Sequence, residues 1–339
     1  MKRIILVISI IVALAGTKVS AQGCGGDAPD EGMKIFGFLQ SQYEYHMTDP
    51  TTNSFTFERA RIGAMGKIPY DFSYYVVLEM SPFISPNPYL LDAFITYDRF
   101  EWARLSVGSF KTPFGLEVNT ACNNLTTVYR STATLQMVAP FRDMGMVLMG
   151  GNDKTAITYQ LGLMNGSGLL RADNNTKKDI VGRLTYKPFE FIRVGASFRY
   201  GYPSLNNTTD NRTSFGAELT AKYENFKLEA EYINDEGNYN RDLGGGCSGN
   251  LIELGNERSG GYATLSYLTK WNVEPVFRFD FFDSGNTQEY KESNMTFGIN
   301  YFFNDWTRLQ ANYIYRSEEG NTPLEIKNDE FVIQLQVKF

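Results

Sequence analysis

The chain is short of the residues that most enzymes and metal sites use. Its 339 residues hold one histidine, His46, and three cysteines, Cys24, Cys122 and Cys247, so imidazole catalysis and metal ligation have little to draw on. Nothing in the composition points to a cofactor. Basic blocks are missing too: 32 Lys and Arg against 38 Asp and Glu give −6, and an acidic chain without a basic patch is no nucleic-acid binder. Beyond the first fifteen residues no apolar run is long enough for a bilayer-spanning helix. Proline is sparse, at 12 residues, and a low-complexity tract is absent.

Aromatics are abundant instead. Twenty-five Phe, 21 Tyr and 3 Trp make 14% of a chain whose mean hydropathy is −0.30. Such a chain is too aromatic and β-branched to be disordered, yet too polar on average for an ordinary soluble core.

Met1-Lys2-Arg3, the apolar run Ile4 to Ala15, and Val19-Ser20-Ala21 form the pattern of a signal peptide over residues 1–21. The apolar run is too short to anchor. Ala21-Gln22-Gly23-Cys24 has the outline of a lipoprotein site but lacks the preferred Leu and small residue, which favours plain cleavage. Loss of the leader moves the balance to −9, because it carries Lys2, Arg3 and Lys18 and no acid.

Residues 22–339 alternate. Phe331, Ile333, Leu335, Val337 and Phe339 bracket Gln334, Gln336 and Lys338; Phe277, Phe279 and Phe281 bracket Arg278 and Asp280. Alternate residues of a strand point to opposite faces, so each segment has one greasy and one wet face. Sixteen such segments are expected, near 33–46, 55–68, 72–80, 89–98, 103–111, 143–151, 154–164, 178–187, 191–201, 212–223, 226–234, 259–268, 272–282, 293–303, 305–316 and 330–339. Short connections such as Pro69-Tyr70-Asp71 and Glu224-Asn225 alternate with long ones. With Tyr and Phe gathered at segment ends, this is the layout of a transmembrane antiparallel β-barrel: turns periplasmic, loops outside, lipid around it. A β-sandwich would also alternate, but it has no need of aromatic rims.

Phe57-Glu58-Arg59-Ala60-Arg61-Ile62-Gly63, Gly108-Ser109-Phe110-Lys111-Thr112-Pro113-Phe114-Gly115-Leu116-Glu117 and Phe141-Arg142-Asp143-Met144-Gly145 resemble the phosphate-selective porin O and P family. The resemblance implies a sixteen-stranded, usually homotrimeric outer-membrane barrel of a Gram-negative bacterium, with its third outer loop folded into the lumen. Terminal Phe339 resembles the signal read by the barrel-assembly machinery. The sequence agrees with the loop: 112–142 is the longest connection and carries only Glu117, Arg130 and Arg142 as charges. A long patternless loop in a compact barrel is usually functional, and Leu135, Met137, Val138 and Phe141 give it material to pack.

Strand parity puts Arg59, Arg61, Arg104, Arg183, Lys187, Arg193, Arg199, Lys222, Lys227, Arg278, Arg308 and Arg316 on the lumen side. The acids there are Glu44, Glu79, Asp92, Asp98, Glu218, Glu229, Glu231 and Asp280. Guanidinium groups suit anions because they offer paired hydrogen bonds and never deprotonate. Arg59 and Arg61 should sit about 7 Å apart on one face. The same residues could equally pair with acids to hold a wet wall together. The expectation is a porin for passive diffusion of small hydrophilic solutes with a weak anion preference, open to phosphate but not specific for it.

The rival readings are an enzyme barrel and a structural or adhesin barrel. The first needs a base near a nucleophile, and His46, at the outer end of the first strand beside Asp49, has only Ser41 at the wrong distance. Glu229 and Glu231 flank no such group and read as wall. Gly244 to Gly249 reads as a loop tip rather than a phosphate cradle, since no strand–helix frame surrounds it. Cys122 and Cys247 both fall in outer loops of an oxidising compartment and could bond, with Cys24 left over. About a dozen residues separate the cleavage site from the first strand, so no plug domain is expected.

Overall fold

The computed structural model describes residues 32–203, 210–239, 252–320 and 327–339. The expected leader, Cys24, the Gly244–Gly249 run and Cys247 lie outside them. Among the described residues sixteen antiparallel strands close into one barrel, in which every strand pairs with its neighbours in sequence and the first with the last. They are β1 (Met33–His46), β2 (Thr52–Ile68), β3 (Phe72–Glu79), β4 (Tyr89–Phe100), β5 (Ala103–Lys111), β6 (Arg142–Gly150), β7 (Ile157–Met164) and β8 (Asp179–Phe189). The second half comprises β9 (Ile192–Gly201), β10 (Arg212–Tyr223), β11 (Phe226–Gly237), β12 (Glu257–Tyr267), β13 (Val273–Asp283), β14 (Lys291–Phe302), β15 (Thr307–Glu319) and β16 (Glu330–Lys338).

Alternation decides which face is which. Along β14, Met295, Phe297, Ile299 and Tyr301 are exposed on the outside, while Asn294, Thr296 and Asn300 are buried inside. Three of the short connections carry the tryptophans Trp102, Trp271 and Trp306 at one rim, where amphipathic indoles favour a membrane interface. The barrel closes at its seam through Phe339, whose backbone N–H donates to the Gly37 carbonyl at 3.0 Å and whose carbonyl accepts from Gly37 N–H at 3.0 Å. A Cβ on Gly37 would meet the Phe339 ring at 2.6 Å, so glycine there is what lets the last residue lie over the first strand.

Three departures from the sequence expectation bear on the inner wall. β7 begins at Ile157 rather than near 154, because Asn152 and Thr155 close a turn: Thr155 Oγ1 accepts from Asn152 N–H at 2.9 Å. Arg142 is the first residue of β6, in register with Lys111, so the long connection is 112–141 and Arg142 belongs to the wall. Glu58 is the extra residue of a β-bulge, since Gln40 pairs with Arg59 and Ser41 with Phe57. A bulge breaks parity. Glu58 therefore shares the inner face with Arg59, where strict alternation would turn it outward.

The interior also holds an apolar sector that an all-polar lumen would not. Phe36 packs at a tilt on Tyr75 (5.2 Å), Tyr75 stacks on Phe94 (5.1 Å) and Phe94 meets Phe110 edge to face (5.7 Å), all buried on β1 and β3 to β5. Met65, Val147, Met149 and Val181 continue this surface, and Phe114, Val118, Val138 and Phe141 of the 112–141 segment belong to the same cluster. Burial of these groups supplies the non-directional part of the segment's anchorage.

Candidate pore and inward segment

The segment between β5 and β6 is two short helices, α1 (Leu116–Asn119) and α2 (Thr132–Met137), with a 3-10 turn (Cys122–Asn124) between them. It begins and ends at adjacent strands. Yet it bonds to inward side chains of β1, β2, β9 to β11 and β13 to β16, and a chain fixed at one side can reach the opposite wall only through the lumen. Gly115 N–H donates to Ser197 Oγ at 3.0 Å, and Glu117 N–H to Glu231 Oε2 at 3.0 Å. Gly115 has φ 73, and a Cβ there would stand 2.0 Å from Glu231 Oε1; only glycine lets the chain turn this close to the wall. Ser131 caps α2 by accepting from Thr134 N–H, and α2 rests against β11, β12 and β13. Gly260 makes room for Ala133, whose Cβ would be 2.9 Å from a Cβ at that position.

Much of the segment is fastened by its backbone carbonyls to basic or amide side chains. Arg199 donates to the carbonyls of Val138 (3.0 Å) and Ala139 (3.1 Å), and Arg212 to those of Ala139 (2.6 Å) and Met137. Arg278 donates to Tyr129 O (2.8 Å), Arg308 to Leu125 O (2.9 Å), Gln336 to Asn123 O (3.1 Å) and Gln40 to Cys122 O (3.3 Å). Tyr129 donates to Glu330 Oε1 at 2.9 Å and lies against Glu44 and Gln42. Burial, followed by the negative charges of Glu330, Glu58 and Glu44, pushes its phenol well above the ordinary range.

Five of the nine arginines expected to line a wet pore are instead paired with acids, and Arg59, Arg61 and Arg278 among them are also buried. Arg61 meets Glu79 at 2.7 Å, Arg142 meets Asp92 at 2.8 Å, Arg183 meets Glu218 at 2.5 Å and Arg59 meets Glu58 at 3.0 Å. Arg278 joins Asp280 (3.2 Å) and Glu117 (3.4 Å), and Arg316 joins Glu330 (3.1 Å). Asp235, fully buried, holds both Arg212 (2.8 Å) and Arg258 (2.5 Å). Arg104 and Arg193 reach carbonyl oxygens of the turn 151–156 instead, Gly151 O at 2.9 Å and Asp153 O at 3.0 Å.

Parity reading missed Glu58, Arg142, Asp143, Asp179, Arg212, Asp235, Arg258, Glu292 and Glu330 as inner groups. The bulge hides the first, and the others stand at or near strand ends, where alternation is least visible. With them, Lys111, and Glu117 and Arg130 of the inward segment included, eleven buried cations face twelve buried acids. The four-cation excess expected of the lumen wall does not exist in its buried part.

Other expected groups fall as follows. Glu117 is buried in α1, its Oε2 accepting from Ser131 N–H and Oγ at 2.9 Å each. Arg130 is buried within the segment, donating to the carbonyls of Glu117 and Thr120 at 3.2 Å. The Cys122 sulfur is buried and accepts from Arg61 Nη1 at 3.0 Å, while its expected partner Cys247 lies outside the described residues. His46 faces Glu44 (3.5 Å) and Glu330 (4.0 Å) rather than Asp49.

Open space lies at the turn end. A vestibule of about 320 Å³ is lined by Lys222, Lys227, Arg308 and Lys338, with Glu274 and Asp305 as its only acids, and by Asn304, Trp306, Thr307, Phe302 and Gln336. Asn123, Asn124 and Thr126 of the inward segment form its roof. Arg308 and Arg199 make no ion pair among the described residues; both give their protons to carbonyls.

A closed sixteen-strand barrel with an apolar outer face, a polar inner wall and a segment crossing its lumen is an outer-membrane channel for small solutes. The profile of the family described as phosphate-selective porin O and P matches residues 33–214 and 203–339, and the chain belongs to that family. No curated protein sequence matches it. Solved structures share its fold. An anion-selective porin from Comamonas acidovorans is 12% identical and superposes with a TM-score of 0.66 over 91% of this chain and 99% of its own. The outer membrane channel DcaP of Acinetobacter baumannii is 12% identical, with a TM-score of 0.65 over 96% of this chain and 100% of its own. OmpT of Vibrio cholerae in its trimer form is 11% identical, with a TM-score of 0.66 over 92% of this chain and 100% of its own.

Proposed function

We propose that this porin passes small hydrophilic solutes by diffusion with a weak anion preference set at the vestibule, and that it carries out no chemistry of its own. One observation carries the preference: four cations, of which Lys227 is ion-paired with Glu229, against two acids around a space of solute size. The buried wall contributes little, because its buried cations and acids nearly balance in number. Arg59, Arg61, Arg104, Arg183, Arg193, Arg278 and Arg316 then hold the wall and its turns, and Arg308, with Arg199 in the carbonyl-bonded set, carries charge that no direct ion pair among the described residues neutralises. Phosphate enters this reading as one anion among several.

A homotrimer is the proposed assembly, supported by the trimer form of a fold neighbour. The residue 1–21 leader is proposed to be removed on export, Phe339 to be read by the barrel-assembly machinery, and the short-turn end to face the periplasm. The test is the zero-current potential across a planar bilayer under a salt gradient. Lys222→Gln with Lys338→Gln should move it toward cations, and an unchanged potential would remove the vestibule from the explanation.

A further inference from the structure

Two cavities lie on opposite sides of one short stretch of chain. The vestibule ends at Thr126. A second cavity of about 10 Å³, lined by Thr126, Leu125, Thr127, Glu117, Glu229 and Tyr262, begins on its other side. That is the room of one water. The strap between them is held by Arg308 Nη1 to Leu125 O (2.9 Å), Asn300 Nδ2 to Thr126 O (2.9 Å) and Lys227 Nζ to Thr126 Oγ1 (2.9 Å). Thr126 Oγ1 in turn donates to Glu229 Oε2 at 2.9 Å.

We propose that the Leu125–Thr126 strap is a gate latched by Arg308, and that an oxyanion entering the vestibule releases the latch. This rests on the anion preference proposed above and goes beyond it, since a preference needs no moving part. Two of the strap's fasteners, Arg308 and Lys227, are basic groups that line the vestibule. The acceptor of Arg308 on the strap is a neutral carbonyl, and that of Lys227 is a hydroxyl, beside the Lys227 ion pair with Glu229 at 2.8 Å. A carboxylate or phosphate oxygen bonds a guanidinium or ammonium about twice as strongly as a neutral acceptor does. Arg308 also keeps a donor in reserve: its Nε is buried and has no acceptor, beside an Nη2 that donates to Gln336 Oε1 at 3.1 Å. The Nε–Nη2 edge is the edge a two-oxygen anion takes, and turning the guanidinium to present that edge to the vestibule withdraws Nη1 from Leu125 O. Lys222 and Lys338 add attraction from the same cavity. The competitor is thus drawn to the latch by the charges that surround it.

A ligand shifts a two-state gate only by its differential affinity, so an anion bound about ten-fold more tightly to the released form raises the open-to-closed ratio about ten-fold. The experiment uses the full-length protein in planar bilayers with no salt gradient. Chloride is partly replaced by inorganic phosphate, or in a second arm by citrate, at constant ionic strength and pH. The fraction of time spent conducting should rise several-fold and saturate with either anion. A rise with phosphate alone would assign the latch to phosphoryl groups, and with citrate alone to carboxylates.

Arg308→Gln should conduct without responding to either anion. Should that variant not fold, Lys338→Gln, which touches no strap atom, should need more anion for the same opening. An open fraction that ignores both anions in the native protein overturns the proposal, as does an Arg308→Gln or Lys338→Gln channel with the native response. The zero-current potential measured separately tells the two ideas apart: an anion-preferring channel with no anion-dependent opening removes the gate and leaves the preference.

Discussion

Asp235 offers the sharpest test of the paired-wall account. Its carboxylate is fully buried and accepts from Arg212 Nε at 2.8 Å, Arg258 Nε at 2.6 Å and Ser214 Oγ. Asp235→Asn keeps the shape and one acceptor oxygen but leaves two buried guanidinium groups facing each other uncompensated. Removing one partner of a buried ion pair costs about 3–5 kcal/mol. Here the arginines retain neutral acceptors: Arg212 the carbonyls of Met137 and Ala139, and Arg258 those of Gly237 and Gly255 at 2.7 Å each. Each such bond is worth about 1 kcal/mol net, which sets the expected loss near the lower limit, about 3 kcal/mol.

The assay is urea unfolding from lipid vesicles, followed by the mobility difference between folded and unfolded barrel on a gel. Adding Arg258→Gln removes one of the stranded charges and should recover part of the loss, a coupling that two independent sites would not show. A loss under about 0.5 kcal/mol for Asp235→Asn, the range of an ordinary surface change, would refute the view that this carboxylate neutralises the inner wall.

Two further outcomes are expected. Arg61→Gln should strand the buried Glu79 carboxylate and move the zero-current potential toward cations, whereas Arg61→Gln with Glu79→Gln should restore the native value, because the pair is neutral as a unit. Tyr129, with its pKa held well above the ordinary phenol value of about 10, should weaken the fold as pH rises past that value: the unfolded phenol ionises there while the buried one keeps its proton. Tyr129→Phe should flatten this alkaline slope in urea midpoints, and an unchanged slope would place the phenol in contact with water.

The period of two in the sequence, taken with its aromatic rims, was enough to determine the barrel. It requires only that apolar and polar residues alternate along segments separated by turn residues, and this is a local property that each strand carries by itself. The aromatic rims and the length of the 112–141 connection were legible for the same reason. The charge of the pore was not. Parity names the face a residue is on, but not what that residue meets there. Arg61 and Glu79 sit on different strands; Asp235 meets Arg212 and Arg258 from two neighbouring ones; and Arg199 and Arg308 meet carbonyls of a segment more than fifty residues away. A bulge at Glu58 and the strand-end position of Arg142 shifted charges that simple alternation had misplaced.

The opening scarcity of histidine and cysteine, and the alternation of the whole chain, thus specified a wall with a wet side and a greasy side. Only closure of the barrel decided that most of its arginines would be neutralised in pairs, and that the remaining cations would gather where space is left. Electrostatic energy depends on distances between groups far apart in sequence, and those distances exist only once the sixteen strands and the segment across them are in place.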